Sequence, residues 1–234
     1  MKVTLLAYTQ LNSEIVPNFE LEVVEKWEDV TDGQIVSLAA IRQCYSHKTA
    51  LEVLETESEK YFGEKSKEAK RLFRQIVTSK HTSTLEHLNF TFAIENVSRS
   101  LLAQLTRHRH MSFSVQSQRF VKFSSDSRSG GFDYVMPDNI AENHVEKDFD
   151  RFMIKIQNFY DYLIENGVHQ ESARAVLPNA AACNLVLTAN LRTLLEFYEK
   201  RKPGSGAQKE ISQLAEELKN RIVEVEPWTE EFFE

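Results

Sequence analysis

The sequence predicts a chain of the α/β class, α+β type: a helix-rich single domain with a mainly antiparallel central sheet. Three observations lead to this prediction. Amphipathic patterns of helical period fill much of the 234 residues. A few short apolar segments have strand character, and one of them alternates with a period of two. No Pro-, Gly- or Ser-rich linker is long enough to separate two domains, so we expect residues 1–234 to form a single domain.

The first half of the chain mixes strand and helix patterns. The clearest strand alternates Leu88, Phe90, Phe92 and Ile94 with polar or small residues. Ser98 is placed to cap the helix that follows it, and either Thr31 or Asp32 is placed to cap the first helix. In order, the predicted elements are a strand at 2–8, helices over 31–45 and 57–80, a strand over 88–97, a segment at 99–109 that begins as a helix and a loop at 124–131.

The second half is dominated by helical patterns. A long helix closes at Asn166-Gly167, because glycine readily adopts the left-handed conformation that ends helices. The predicted elements are a helix over 139–167, another from 169 to just before Pro178, either a strand or a helix start at 184–191, a helix over 192–202 that the segment 203–206 breaks, and a last helix over 209–225.

Composition excludes several functional classes. The net charge of −7 argues against a sequence-independent nucleic-acid binder, and no stretch approaches the ~20 apolar residues of a membrane span. Neither a GxGxxG nor a GxxxxGK[ST] motif occurs, so the two common glycine-rich phosphate loops are unsupported. Cys44 and Cys183 have no ligand spacing, and the N-terminus lacks the features of a signal peptide. We therefore expect a cytoplasmic protein that binds neither nucleic acid nor membrane.

One segment is unusually rich in polar recognition groups. Residues 107–120 (RHRHMSFSVQSQRF) contain three Arg, two His, three Ser and two Gln. Guanidinium forks and neutral donors at this density suit a nucleotide phosphate and the edge of a planar base. Two other interpretations stay open at this point. The segment could be a solvated basic loop paired with some of the 35 acidic residues, or a non-catalytic RNA-binding surface that stacks bases on Phe113 and Phe120.

A second polar segment precedes the alternating strand. It contains two histidines and a glutamate, His81, Glu86 and His87, which together with His108 and His110 could suggest a metal-dependent nucleotide hydrolase. However, no HExxH motif is present, and histidines without metal-ligand spacing more often serve as hydrogen-bonding residues. We therefore predict no metal site.

Taken together, these residues resemble the flavin-dependent thymidylate synthase family. Arg107-His108-Arg109, seven residues, Ser117, one residue and Arg119 form an RHRx7SxR signature. Other segments resemble the family in the same order along 81–211. These are His81-x-Ser83-x-x-Glu86-His87, Ala173-Arg174-x-x-Leu177-Pro178, Asn190-x-Arg192, Arg201 and Ala207-Gln208-x-Glu210-Ile211.

The resemblance implies an enzyme that converts dUMP to dTMP. Methylenetetrahydrofolate would donate the carbon, and FAD would take a hydride from NADPH and pass it on. Family members are homotetramers with sites between subunits. Conventional thymidylate synthases need a cysteine nucleophile in a Pro-Cys context, which neither Cys44 nor Cys183 has, so a core or surface role is expected for both.

The resemblance also assigns the site residues. Arg201 would be the catalytic arginine that favours ionisation of uracil N3, although a cation in the last turn of a helix is the simpler alternative. Ser83 could likewise be a turn hydroxyl, and Arg174 a helix-surface charge. The implied dUMP-binding residues are Gln104, Arg107, Ser117, Arg119 and, from another subunit, Arg174. The implied FAD-binding residues are His81, Ser83, Arg107, His108, Arg109, Asn190 and Arg192.

Three positions depart from the family pattern. Val115 stands where many members carry Glu or Gln, so a side-chain contact with the nucleotide is not expected there. Glu196 replaces the common Asn or His of the late flavin segment. Gly206 stands in place of the histidine that often precedes the Ala-Gln pair. The central signature is unaffected by all three.

Overall fold

The computed structural model describes residues 1–12, 14 and 30–234. The strands are β1 (Lys2–Tyr8), β2 (Asn89–Ser98), β3 (Met111–Val115) and β4 (Ala182–Asn190). The α-helices are α1 (Asp32–Tyr45), α2 (Ala50–Thr78), α3 (Arg99–Leu105), α4 (Asp138–Glu142), α5 (Glu146–Glu165), α6 (Gln170–Ala173), α7 (Leu191–Arg201) and α8 (Lys209–Val225). Short 3₁₀ helices cover Thr82–His87, Arg174–Val176 and Pro227–Phe232.

The strands form a four-stranded, antiparallel sheet in the order β1-β2-β4-β3, which confirms the predicted fold class. Alternate residues of β2 and β4 are buried, and the residues between them are more exposed. This alternation of period two marks a sheet with one face covered by the core.

The contacts divide the chain into two compact units. One consists of residues 1–4, 93–187 and 208–214, and the other of residues 5–92, 188–207 and 215–234. In the first unit, Phe123, Tyr160 and Ala173 form a buried apolar cluster. In the second, α1 and α2 bury a larger cluster that includes Leu38, Ile41, Phe62, Phe73 and Ile76.

The ends of the early helices follow from local capping. The Thr31 side chain accepts from the Gln34 backbone N–H, and the Gln34 side chain accepts from Thr31, so α1 begins where predicted. The same reciprocal pair, Thr49 with Glu52, starts α2 seven residues before the predicted residue 57. The prediction for that start was therefore wrong. The Thr49-x-x-Glu52 pattern was visible in the sequence and was the missed signal.

The predicted helix over 139–167 is two helices, so that prediction is wrong. α4 and α5 are separated at residues 143–145, where His144 adopts a left-handed backbone conformation with φ of 58°. Neither proline nor glycine marks this break. The predicted end is confirmed, because Asn166 caps α5 and Gly167 has φ of 82°.

Three further predictions need adjustment. The helix expected from near His169 to just before Pro178 is only the four-residue α6 followed by a 3₁₀ turn. The segment 99–109 begins as a helix, as expected, and this helix, α3, ends at Leu105. Residues 184–190 belong to β4 and Leu191 begins α7, which settles in favour of a strand the alternative left open there. β3 was not predicted at all. The remaining elements lie within about two residues of their predicted bounds.

The C-terminal segment caps the N-terminal end of α1. The Glu226 side chain is 1% exposed and accepts from the Gly33 backbone N–H at 3.2 Å, the Trp228 indole N–H at 2.5 Å and the Thr31 hydroxyl. Burial raises the pKa of the Glu226 carboxyl, although these three hydrogen bonds oppose the rise. The carboxyl group thus satisfies N-terminal donors of α1 that lack an intrahelical partner.

Over the described ranges, we find no helix that combines the length and the apolar character required to cross a bilayer.

Candidate functional site

The Arg107–Arg109 segment forms a turn between α3 and β3. The Arg107 N–H donates to the Gln104 carbonyl at 3.3 Å, and the His108 N–H donates to the Leu105 carbonyl at 3.0 Å. Arg107 and Arg109 are exposed, and neither forms an ion pair with another residue of the described chain. His108 is half-buried. The turn therefore offers two guanidinium groups to an anionic ligand.

Ser117 begins a second turn, just after β3. Its Oγ accepts from the backbone N–H groups of Arg119 at 3.2 Å and Phe120 at 3.4 Å. A hydroxyl that accepts these bonds keeps its proton for donation to another group. The turn also fixes the start of the Arg119 side chain, whose guanidinium lies 5.3 Å from the centre of the Phe120 ring.

Two arginines predicted for dUMP binding meet at Glu171. The Arg119 Nε donates to Glu171 Oε2 at 2.9 Å, and the Arg174 Nε donates to the Glu171 backbone carbonyl at 3.0 Å. The Gln170 amide supports the turn by donating to the carbonyls of Arg119 and Phe120. Arg119 thus contacts the Glu171 carboxylate across 52 positions of the chain. Arg174 contacts the backbone carbonyl of the same residue, three positions before it.

Glu171 was not predicted from the sequence. It lies 52 residues from Arg119 and outside every quoted motif, so the sequence contained no local signal for the pair. Gln104, a predicted dUMP-binding residue, lies in the last turn of α3, where its amide nitrogen donates to Gln208 and to the Ser100 carbonyl.

In the second unit, His81 immediately precedes the 3₁₀ helix that contains Ser83. The Tyr45 hydroxyl lies 2.6 Å from His81 Nδ1, and the two rings make an edge contact with centroids 5.6 Å apart. Tyr45 was not predicted as a site residue. A hydrogen bond at one nitrogen of an imidazole determines whether the other nitrogen donates or accepts. The Tyr45 hydroxyl therefore sets the orientation of the His81 ring and the hydrogen-bonding role of its second nitrogen. Ser83 is exposed.

Asn190 and Arg192 begin α7 beside the same 3₁₀ helix, since the Leu191 N–H donates to the Leu88 carbonyl at 2.8 Å. The Asn190 side-chain oxygen caps α7 by accepting from the Thr193 N–H at 2.9 Å. Its amide nitrogen is still able to donate. The sequence-based flavin residues His81, Ser83, Asn190 and Arg192 therefore lie on two adjoining segments.

Arg192 is held between two carboxylates. Its Nη1 donates to Glu86 at 2.6 Å and its Nε donates to Glu196 at 3.0 Å. The hydrogen bond with Glu196, followed by that with Glu86, raises the pKa of Arg192. Glu196, one of the three departures from the family pattern, thus acts on a neighbouring arginine of the same helix.

Arg201 is the last residue of α7 and is half-buried. It lies nine residues after Arg192, or roughly 14 Å along the helix axis at 1.5 Å per residue. The structure thus places these two predicted residues at opposite ends of one helix. The simpler alternative for Arg201, a cation that interacts with the terminal carbonyls of its helix, requires the same position in the last turn.

The cysteines have the structural roles expected of them. Cys183 is buried in β4, and this burial raises the pKa of its thiol, whereas Cys44 is exposed. Among the described residues, no cluster of three or more His, Cys, Asp and Glu side chains is suitable for holding a metal ion.

The fold is shared with solved nucleotide-modifying enzymes. A UMP/dUMP methylase, PolB from Streptomyces cacaoi, superposes with a TM-score of 0.72 over 99% of this chain and 93% of its own, at 21% identity. ThyX from Helicobacter pylori, a flavin-dependent thymidylate synthase solved with FAD and dUMP, gives a TM-score of 0.68 over 100% and 98% of the two chains, at 24% identity.

Two related sequences and a family model show to which family the chain belongs. The flavin-dependent thymidylate synthase of Nitratidesulfovibrio vulgaris is 43% identical over 173 residues, which cover 70% of this chain and 67% of that protein. The enzyme of the same name from Clostridium tetani is 34% identical over 221 residues, covering 87% and 83%. The sequence model of the family described as "Thymidylate synthase complementing protein" matches residues 23–228. The chain therefore belongs to this family, that of the flavin-dependent thymidylate synthases.

Proposed function

We propose that this chain catalyses the reductive methylation of dUMP to dTMP, with methylenetetrahydrofolate as carbon donor and NADPH-reduced FAD as hydride donor. The observation that carries the proposal is the Ser117 turn, which fixes the start of the Arg119 side chain and leaves the Ser117 hydroxyl with a proton to donate. A rigid cation beside a hydroxyl donor matches the needs of a phosphate monoester, and Arg174 of another subunit would add a second cation. The membership of the family supplies the reaction.

In this proposal Arg119 and Ser117 of one chain and Arg174 of another subunit bind the nucleotide phosphate, and Gln104 and Arg107 complete the dUMP site. Charge-assisted hydrogen bonds contribute about 1.5–3 kcal/mol each, so two or three are enough for micromolar affinity. The Glu171 carboxylate, which accepts from Arg119 in the structure described here, would give way to the phosphate because the phosphate carries more charge and more acceptor oxygens.

The residues present fit FAD as a cofactor. Its pyrophosphate is an anion that needs fixed donors, and Arg107 and Arg109 are exposed cations on a turn. His81, Ser83, His108, Asn190 and Arg192 complete the proposed FAD-binding set. Bound FAD supplies hydride transfer, and this chain contributes the binding, orientation and electrostatics.

Arg201 is proposed as the catalytic residue. Uracil C5 must become nucleophilic enough to attack the one-carbon unit of the folate, and negative charge on the ring increases its electron density. A guanidinium beside N3 and its neighbouring carbonyls stabilises that charge without changing its own protonation state. The reaction on this chain therefore needs no cysteine nucleophile, in keeping with a buried Cys183 and a Cys44 outside any motif.

We further propose that the protein is a cytoplasmic homotetramer that binds neither nucleic acid nor membrane. An exposed apolar stripe at the start and along the length of α5 supports self-association: Val145, Phe152 and Phe159 recur every seven residues and are 46%, 58% and 50% exposed. A regular apolar stripe of this kind is typical of a helix that packs against another protein surface.

The test is a dTMP-forming assay with FAD, NADPH, dUMP and methylenetetrahydrofolate. A yellow protein that forms dTMP, and that oxidises NADPH faster when dUMP is present, supports the proposal. In the same assay Arg201→Ala should keep its flavin and lose turnover. A protein that cannot be reconstituted with FAD but binds RNA would instead support the non-catalytic alternative.

A further inference from the structure

The first turn of α8 and the residue before it are linked to the two ends of α3. At the start of α3, the Glu210 carboxylate accepts from the Ser98 backbone N–H at 2.7 Å and from the Ser98 hydroxyl at 2.5 Å. At the end of α3, the Gln208 Oε1 accepts from the Gln104 amide nitrogen at 2.5 Å. The segment 207–211, which the proposed reaction does not use directly, thus fixes the helix that leads into the Arg107 turn.

The Gln208 contact determines which end of the Gln104 amide is exposed. The Gln104 nitrogen also faces the Ser100 carbonyl at 3.3 Å. A backbone carbonyl can only accept, so the nitrogen, and not the oxygen, must occupy this position. Both hydrogens of the amide are then directed at protein acceptors, and within the described chain no donor is bonded to the Gln104 Oε1.

We propose that Gln208 is a positioning residue for nucleotide binding, which holds the Gln104 amide with its oxygen presented to an O–H or N–H donor of the nucleotide. The inference rests on the proposed function, in which Gln104 contacts dUMP. The neutral donors of dUMP are the ribose 3′-hydroxyl and the uracil N3–H. An amide oxygen accepts from either of them, whereas an amide nitrogen in the same place cannot accept from N3–H and can meet the hydroxyl only by donating to its oxygen.

The nearby bond to Ser100 cannot replace Gln208. At 3.3 Å it is long for an N–H···O bond, whereas the bond to Gln208 is short. Without an acceptor at position 208, the Gln104 amide gains rotational freedom and the orientation with its nitrogen outward becomes accessible. Binding must then select the correct orientation each time, and the nucleotide affinity falls.

The test uses the FAD-loaded protein and two matched variants. Gln208→Met removes the acceptor with little change in side-chain length, and Gln213→Met makes the same change on an exposed residue in the first half of α8. dUMP is titrated into each by isothermal calorimetry, and flavin content and melting temperature are recorded. Gln208→Met should weaken dUMP binding about tenfold, equivalent to about 1.4 kcal/mol, and raise KM with little change in kcat. Gln213→Met should bind dUMP like the wild type.

A double-mutant cycle separates positioning from a general structural role. If Gln208 acts through Gln104, then Gln104→Met already removes its effect, and the double variant should bind dUMP no more weakly than Gln104→Met alone. A titration with 2′,3′-dideoxyuridine monophosphate identifies the donor. If it is the 3′-hydroxyl, the discrimination between the two nucleotides falls in Gln208→Met, and if it is N3–H, both nucleotides weaken equally.

Two results would overturn the inference while leaving the proposed function intact: unchanged dUMP affinity in Gln208→Met, or losses in the two single variants that add in the double variant. If the wild-type protein itself fails to bind dUMP, the proposed function fails and the positioning role fails with it.

Discussion

Replacing Glu171 by glutamine should tighten the binding of dUMP. The carboxylate accepts from the Arg119 Nε at 2.9 Å, and the two side chains are 46% and 59% exposed. An ion pair this exposed contributes about 0.2–1 kcal/mol. The phosphate of dUMP must displace the Glu171 carboxylate from Arg119. Removing the carboxylate charge therefore makes dUMP binding more favourable by at most the free energy of this ion pair, and the dissociation constant for dUMP should fall by a factor of about 1.4 to 5.

The opposite change, Arg119→Ala, has a larger effect. It removes a charge-assisted hydrogen bond to the phosphate, which contributes about 1.5–3 kcal/mol, so dUMP binding should weaken by a factor of about 10 to 150. The comparison of these magnitudes indicates that Glu171 moderates the affinity of the site and does not block it. The Arg174 contact should persist in Glu171→Gln because it involves the backbone carbonyl of residue 171.

The measurement is calorimetric titration of dUMP into the FAD-loaded wild type, Glu171→Gln and Arg119→Ala at two salt concentrations. Glu68→Gln is a suitable control because it removes a carboxylate from another surface pair, that with Arg71 at 2.9 Å. Weaker dUMP binding by Glu171→Gln would refute the reasoning, because it would mean that the carboxylate holds Arg119 in its binding position and does not compete with the phosphate.

Three further outcomes follow from other parts of the structure. Gly33→Ala should destabilise the protein by about 2–4 kcal/mol in chemical denaturation, because the added Cβ would lie 2.3 Å from Glu226 Oε1 and displace a buried carboxyl group. Gly63→Ala is the control: its added Cβ approaches only the Glu59 side chain, with Oε1 at 3.4 Å, and should stabilise the protein by about 0.5–1 kcal/mol. Equal changes in unfolding free energy in the two variants would contradict this explanation. Tyr45→Phe keeps the ring contact with His81 but removes the hydroxyl, so FAD affinity measured by reconstitution of the apoprotein should fall about 2- to 12-fold, and unchanged affinity would remove this role. Glu226→Gln should cost about 1–3 kcal/mol by leaving one donor unpaired. Because burial raises the folded-state pKa of Glu226, the stability linked to its protonation is present below the unfolded pKa of 4.5 and is lost as pH rises through the folded pKa. The difference in unfolding free energy between wild type and variant should therefore narrow as pH rises above about 5, and a difference that widens would contradict this sign.

Local signals account for much of what the sequence predicted correctly. Thr31 and Ser98 cap helices where expected, because a side-chain oxygen followed by helix-forming residues specifies that geometry without tertiary contacts. The alternation of Phe90, Phe92 and Ile94 likewise specifies a half-buried strand. The Arg107–Arg109 segment was predicted from residue density and motif spacing, and the structure places it on an exposed turn.

Features that depend on tertiary contacts were missed. The break at His144 has neither proline nor glycine to mark it, and the apolar period continues across it. Met111–Val115 alternates like a strand, but the basic residues around it obscured the pattern. Glu171 and Tyr45 matter because of partners 52 and 36 residues away, and a single sequence contains no signal for such pairs.

The attachment of Glu226 to α1 has a consequence for how the protein is made. The bond between Glu226 and Gly33 spans 193 residues, and Trp228 packs against the apolar cluster formed by α1 and α2. A growing polypeptide emerges from the ribosome N-terminus first, so α1 waits for the synthesis of the 193 residues that separate Gly33 from Glu226 before its cap and its apolar cover arrive. Until then, the α1–α2 pair depends on chaperones or on its own marginal cohesion to avoid aggregation.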